Sequence, residues 1–241
     1  MLRSLDEVTG YGIEARDGEL GKVKDFYFDD IRWGIRYVLV DTGDWLPGRR
    51  VLVAPASVGE PDWERAVLPV ALTREQVEKS PSVGVDRPVS RQKEEELMSY
   101  YDWEPYWEPV DVLAAPPPVP YTPHGGHKVK GDPNLRSAEE VVGYHIDPSD
   151  GEMGKVADFI ADTDSWVIRY LVVDTRAWLP GRQVLMAPTW IEKIDWEGRL
   201  VRVDLTREEI RESPEFDPEA PVNREYETRL YDYYGRPTYW R

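Results

Sequence analysis

The stretch WLPGRRVLVAP, Trp45–Pro55, decides how this chain is read, because Trp178–Pro188 says it again as WLPGRQVLMAP. Pro47 and Gly48 suit the two central positions of a type II turn. Proline presets the first φ and glycine supplies the positive φ that follows. Val51 and Leu52 then run as a strand. Pro55 stops it, because proline has no N–H to give a ladder. Working outward from this phrase, a shift of 133 residues lays Ser4–Trp107 on Ser137–Trp240 without a gap, with 50 of 104 positions identical. Asp25 meets Asp158, Trp33 meets Trp166 and Asp41 meets Asp174. Each copy is large enough to own a core, unlike the units of a solenoid. The predicted organisation is a first unit at 1–107, a Pro/Gly-rich linker at 108–136 and a second unit at 137–241. The linker reads as a polyproline spacer followed by a flexible segment.

Composition narrows the function classes. The chain has 241 residues and a formal net charge of −16; the two copies carry −8 and −10, and Arg3 and Arg241 outside them supply the difference. Phosphate backbones and anionic membrane surfaces attract clustered Lys and Arg, so direct nucleic-acid binding and membrane binding are disfavoured. There is no cysteine, which removes disulfides, thiolate catalysis and zinc–thiolate sites. No apolar run is long enough to span a bilayer, and MLRSLDEVTG lacks a signal-peptide core. The expected location is cytoplasmic, peripheral to the inner face of the membrane only through a partner.

Within each copy the pattern is that of short strands. Asp17-Gly18 and Asp150-Gly151 are tight-turn dipeptides between strand-like runs. Gly21 and Gly154 mark a bulge or a close backbone approach. Val38-Leu39-Val40 and Leu171-Val172-Val173 are apolar on both strand faces, so both faces need cover. Thr73-Arg-Glu-Gln76 and Thr206-Arg-Glu-Glu209 are capping boxes that open short helices. Ser80-Pro81 ends the first of them. Farther on, Leu97, Tyr100 and Tyr101 share one helical face, as do Leu230, Tyr233 and Tyr234. Lone helices of this length are marginal in water, so each aromatic tail is expected to dock on an apolar outer barrel face, of its own copy or of the other.

This succession resembles the PRC-barrel family over roughly 4–80 and 137–213. The residues that carry the likeness are the GKVKDFYFDD-type strand, RYVLVDT and the WLPGR hairpin. The family is named for the cytoplasmic barrel of the photosynthetic reaction-centre H subunit, and also supplies the C-terminal domain of a ribosome maturation factor. The resemblance implies a mainly β fold: two small antiparallel barrels, each followed by a short helix and an aromatic helical tail. It transfers no catalytic residue.

The residues offer little chemistry. His124 and His127 are two ligands where zinc needs three or four, and His145 is matched by Gly12 under the shift, so the duplication does not retain it. Asp41 is expected to pair with Arg36 or Arg49, and Asp174 with Arg169 or Arg182. No nucleophile–base pair, phosphate loop or dinucleotide fingerprint is present. No enzyme activity, cofactor or metal is predicted. The candidate interaction surface is Trp45 with Arg49, Trp178 with Arg182, and the tail pairs Tyr100, Tyr101, Tyr233 and Tyr234. Tryptophan and tyrosine are enriched at interfaces, and the turn and strand do not demand Trp45 or Arg49. The leading expectation is a non-catalytic scaffold or adaptor with a protein partner and pseudo-twofold pairing of the two copies, leaving room for a homo-oligomer. Two alternatives follow the relatives: an accessory subunit of a membrane electron-transfer complex, and a ribosome or RNA-processing assembly factor.

Overall fold

A computed structural model of the chain describes residues 1–81, 89, 91–106, 134–175 and 182–240. The first copy provides β1 (Leu2–Ser4), α1 (Leu5–Val8), β2 (Gly12–Ala15), β3 (Gly18–Asp29), β4 (Ile35–Asp41), β5 (Arg50–Val53), β6 (Val67–Pro69), α2 (Arg74–Lys79) and α3 (Arg91–Tyr101). The second provides β7 (Leu135–Ser137), α4 (Ala138–Val141), β8 (His145–Asp147), β9 (Lys155–Asp162), β10 (Val167–Asp174), β11 (Gln183–Met186), β12 (Ile191–Asp195), β13 (Leu200–Val203), α5 (Arg207–Glu212) and α6 (Arg224–Tyr234). The protein is mainly β, with two sheets and short helices. One sheet runs β5-β4-β3-β2-β6 and the other β11-β10-β9-β8-β13-β12. Among the described residues neither hydrogen-bonded path closes on itself. No described helix is long and apolar enough to cross a membrane.

The local grammar acts as the sequence predicts. Gly48 takes φ +75°, and the Arg49 N–H bonds the Leu46 carbonyl at 3.0 Å to close the turn. Gly21 takes φ +140°, and a Cβ there would lie 2.0 Å from the Asp41 carbonyl oxygen. At Gly154 the same approach is 2.4 Å, to the Asp174 carbonyl oxygen. Only glycine lets these backbones come so close. Both capping boxes form, on α2 and α5.

Strand pairing crosses the boundary between the copies. β1 pairs antiparallel with β9, with Arg3 opposite Ala161 and Ser4 opposite Ile160. β7 pairs with β3, with Arg136 opposite Phe28 and Ser137 opposite Tyr27. The two exchanges have the same register under the 133-residue shift. Farther along the seam, the Ile168 N–H bonds the Trp33 carbonyl at 2.8 Å, and the Ile35 N–H bonds the Trp166 carbonyl at 2.7 Å. Both tryptophans sit at positive φ, 60° and 51°, an uncommon state for a bulky residue. In each case the residue so held lends its carbonyl to the other copy. Phe28 fills the space between, its ring 5.2 Å from Trp33 and 5.7 Å from Phe159. One continuous core therefore runs through both copies.

The tails cover the doubly apolar strands of their own copy. Leu97 and Met98 of α3 are buried against Tyr37, Leu39, Leu52 and Ala54. In the second copy Leu230 and Tyr231 are buried, as are Tyr170, Val172, Leu185 and Ala187. The buried stripe of α3 is Glu94, Leu97 and Met98, joined by the half-buried Tyr101, whereas Tyr100 is 40% exposed. The predicted stripe thus lies one position off, because a carboxylate at its N-terminal end is buried.

The copies solve one packing problem in two ways. In the first, Trp103 stacks on Tyr101 at 4.4 Å and its indole N–H bonds Ser57 Oγ at 2.8 Å. In the second, position 57 is matched by Trp190, whose ring lies 4.6 Å from Tyr234, and position 103 is matched by Arg236. One indole covers the tail tyrosine each time, supplied from opposite sides of the contact. Ser57→Trp alone and Trp103→Arg alone are each expected to cost about 2 kcal/mol, by overpacking and by loss of the ring respectively. The double variant should recover at least about 1 kcal/mol of the summed loss. Urea denaturation of the four proteins checks the cycle.

Candidate functional site

The residues singled out in sequence are largely taken up by internal contacts. Arg49 reaches the end of α2, where its guanidinium donates to the Glu78 carbonyl at 2.5 Å, to the Ser80 carbonyl and to Ser80 Oγ at 3.1 Å. Arg182 donates to the Ser213 carbonyl at the end of α5. A guanidinium there answers carbonyls that a helix end leaves without partners. Trp45 is half-buried, and its ring is covered by Arg74 at 4.6 Å. The structure therefore gives Trp45 a different cation from the one the sequence suggests. Trp178 lies outside the described residues, as do His124 and His127. The Tyr100 hydroxyl bonds the Gln76 carbonyl and the Tyr233 hydroxyl bonds the Glu209 carbonyl, each at 2.9 Å. Tyr101 and Tyr234 pack on the indoles described above.

The expected ion pairs of Asp41 with Arg36 or Arg49 are absent. Asp41 is exposed and accepts the Gly43 N–H at 3.0 Å. Arg36 instead pairs with Asp29 at 2.5 Å, and in the second copy Arg169 pairs with Asp162 at 3.7 Å. The reason is alternation: Arg36 and Asp41 are five apart on one strand and so project to opposite faces. Among the described residues no group of three His, Asp or Glu side chains converges as a metal site.

Sequence reasoning passed over a pair of buried carboxylates. Glu94 accepts the Tyr37 hydroxyl at 3.0 Å and the Tyr106 hydroxyl at 2.8 Å. Arg36 stacks over the Tyr106 ring at 4.4 Å. Under the shift, Glu227 accepts Tyr170 and Tyr239, each at 2.7 Å, and pairs with Arg224 at 3.1 Å. Arg169 stacks over Tyr239 at 4.3 Å. Burial and the neighbouring carboxylate push the Tyr37 and Tyr170 hydroxyls far above the ordinary phenol range. These phenols are hydrogen-bond donors that stay protonated. Retention of Glu94 and Glu227 between the copies was the available signal, masked by three consecutive glutamates at Glu94–Glu96.

A second carboxylate pair joins the copies. Asp25 accepts Ser137 Oγ at 2.5 Å and the Glu139 N–H at 3.0 Å. Asp158 accepts Ser4 Oγ at 2.5 Å and the Asp6 N–H at 3.0 Å. Ser4 and Ser137 are themselves N-caps of α1 and α4. Each copy thus completes the helix start of the other. Burial raises Asp158 from its ordinary 3.8 to about 6, against the opposing pull of these hydrogen bonds. Between those values the folded state holds a proton that the unfolded chain has released, so stability falls as pH rises from about 4 to about 6. That difference amounts to about 3 kcal/mol at most. Asp158→Asn keeps an acceptor for the Asp6 N–H and carries no charge. The urea midpoint of the variant is expected to lose this part of the pH dependence.

Between the copies opens a cleft of about 1170 Å³, walled by Arg32, Gly34–Arg36, Ala54–Ala56, Val58–Pro61, Asp102–Tyr106 and Thr163–Val167. No family model matches the chain, and no match appears among curated proteins. The arrangement must be read from its own chemistry. It offers buried carboxylates that accept hydrogen bonds as fasteners, cationic side chains capping helix ends, and an open aromatic cleft at the seam.

Proposed function

We propose that this chain is a non-catalytic assembly protein: two PRC-like β-barrels fused in tandem as a pseudo-twofold pair, presenting a surface to a protein partner. One observation carries the reading. Three pairs of polar groups shared by both copies are turned inward: Asp25 and Asp158 onto helix starts, Arg49 and Arg182 onto helix ends, Glu94 and Glu227 onto buried phenols. Groups retained for catalysis would instead converge on an open cleft with their donors and acceptors uncommitted. The barrel part of the reading is supported by β3, which serves β2, β4 and β7 along its 12 residues and bulges twice against β4. Bulges bend sheets towards closure. Fusion of two copies also supplies, in one chain, both halves of a self-complementary contact.

Affinity capture from native cells after chemical cross-linking, with quantitative mass spectrometry, tests the proposal. The expected result is a partner recovered in constant proportion to the bait across replicate preparations. Recovery of the chain alone from cells that express it would contradict the reading.

A further inference from the structure

The cleft at the seam has an equivalent position under the 133-residue shift, and the two differ in net charge, although Glu192 and Asp30 stand where the cleft has Gly59 and Thr163. The cleft wall carries four carboxylates, Glu60, Asp102, Glu104 and Asp164. The matched positions hold Lys193, Gly235, Pro237 and Ile31, none of them acidic. Asp102 is the clearest case. It follows α3 at φ 57°, where the matched residue is Gly235 at φ 59°. Glycine takes that conformation without penalty, so backbone geometry does not explain an aspartate there.

The charges are available. Glu60, Asp102 and Glu104 are exposed, and none forms an ion pair with a described residue. Asp164 meets the Met1 amine at 2.7 Å. The lining also holds two arginines, Arg36, which is paired with Asp29, and Arg32, so carboxylates outnumber cations in the wall. The walls add Trp103 and Trp166, both half-buried. Elsewhere this molecule stacks guanidinium groups on its rings: Arg3 on Trp63, Arg136 on Trp196 and Arg224 on Trp240, at 4.0–4.6 Å. No described cation stacks on Trp103 or Trp166. A cleft of about 1170 Å³ exceeds the usual small-molecule pocket and suits a short extended segment.

We propose that this cleft binds a Lys- or Arg-bearing peptide segment of a partner protein, the carboxylates pairing with its cations and the indoles taking its guanidinium or aliphatic stems. The inference rests on the assembly reading and names the chemistry of the partner. Charge complementarity selects the occupant, and cation–π contact adds to it.

The test uses the full chain and fluorescein-labelled 12-residue peptides on a Ser/Pro/Leu background, with no, three or six Lys or Arg residues, read by anisotropy. A cleft variant, Glu60→Lys with Asp102→Gly and Glu104→Gln, brings in residues the second copy or simple neutralisation supplies. A control variant, Glu192→Lys with Glu197→Gln and Glu219→Gln, changes net charge equally on exposed sites outside the cleft. Expected are saturable one-to-one binding that tightens with basic content and a loss of about tenfold in affinity in the cleft variant alone. Equal weakening in both variants would reduce the effect to the overall charge and overturn the proposal. So would failure of every basic peptide to bind, or binding to a second copy of the chain that excludes the peptide. Repeating the cellular capture with the cleft variant separates the two claims. A partner kept by both baits leaves the assembly reading standing and sinks the cleft; a partner found with neither bait sinks the assembly reading, while the titration still decides the cleft.

Discussion

Glu227→Ala is expected to lower stability by about 3–5 kcal/mol, the scale for leaving two buried hydroxyl donors without their charged acceptor and opening a cavity beside them. The loss has three parts. The Tyr170 and Tyr239 hydroxyls, each 2.7 Å from Oε1, lose their acceptor. Arg224 loses the carboxylate 3.1 Å from its guanidinium. A cavity also opens between α6 and β10, where the glutamate is 2% exposed. Glu227→Gln keeps one oxygen to accept from the phenols and should cost clearly less. Near-UV circular dichroism provides a second readout, because Tyr170, Tyr231, Tyr239 and Trp240 form one ring cluster around this site. If Glu227→Ala unfolded at the same urea concentration as the parent, the carboxylate would not be the fastener of the tail.

Phe28→Ala is expected to have an effect of similar size, about 3–5 kcal/mol, but spread over both copies. Phe28 is fully buried and its ring contacts Trp33 of its own copy and Phe159 of the other. Removing a buried phenylalanine forfeits transfer energy and leaves a cavity whose cost depends on how far its walls collapse. The walls here belong to two sheets pinned by exchanged strands, so little collapse is available. The matched residue is Ala161, which is also buried. A single phenyl ring therefore serves the shared space. Hydrogen exchange should show lost protection in β9 and β10 as well as in β3 and β4. Loss confined to the first copy would mean that the core is not shared.

Much of the local structure was legible in the sequence because local rules decide it. Proline and glycine at 47 and 48 dictate a turn wherever it sits, and the capping boxes at Thr73 and Thr206 carry both partners within four residues. The need to cover both faces of Val38–Val40 was also readable, since alternation is a property of one strand. The exchange of β1 and β7 was not readable. A three-residue strand such as Leu-Arg-Ser has no signature naming its partner, and pairing with β9 or with β3 satisfies the same backbone groups. Asp25 and Asp158 were visible as retained acids, yet their role depends on a helix start arriving from the other copy. Glu94 was hidden for a different reason. Charge is normally the mark of an exposed helical position, and the phenols from β4 and from beyond α3, with Arg91 one turn before, help make its burial tolerable. Arg49 and Trp45 are neighbours in sequence, but the turn between them sends one to the C-terminal end of α2 and leaves the other beneath Arg74 at its N-terminal end.

The central claim is that the copies are joined by reciprocal strand exchange. The chain contains no cysteine, so one engineered pair reports without interference. Arg3 and Ala161 face each other across β1 and β9, at the close Cα spacing that antiparallel partners share and disulfides accept. Arg3→Cys with Ala161→Cys should oxidise to an intramolecular disulfide at low protein concentration, giving a monomer that migrates faster on a non-reducing gel and a single linked peptide in a digest. Persistent free thiols, or disulfides found only between chains, would contradict the exchange.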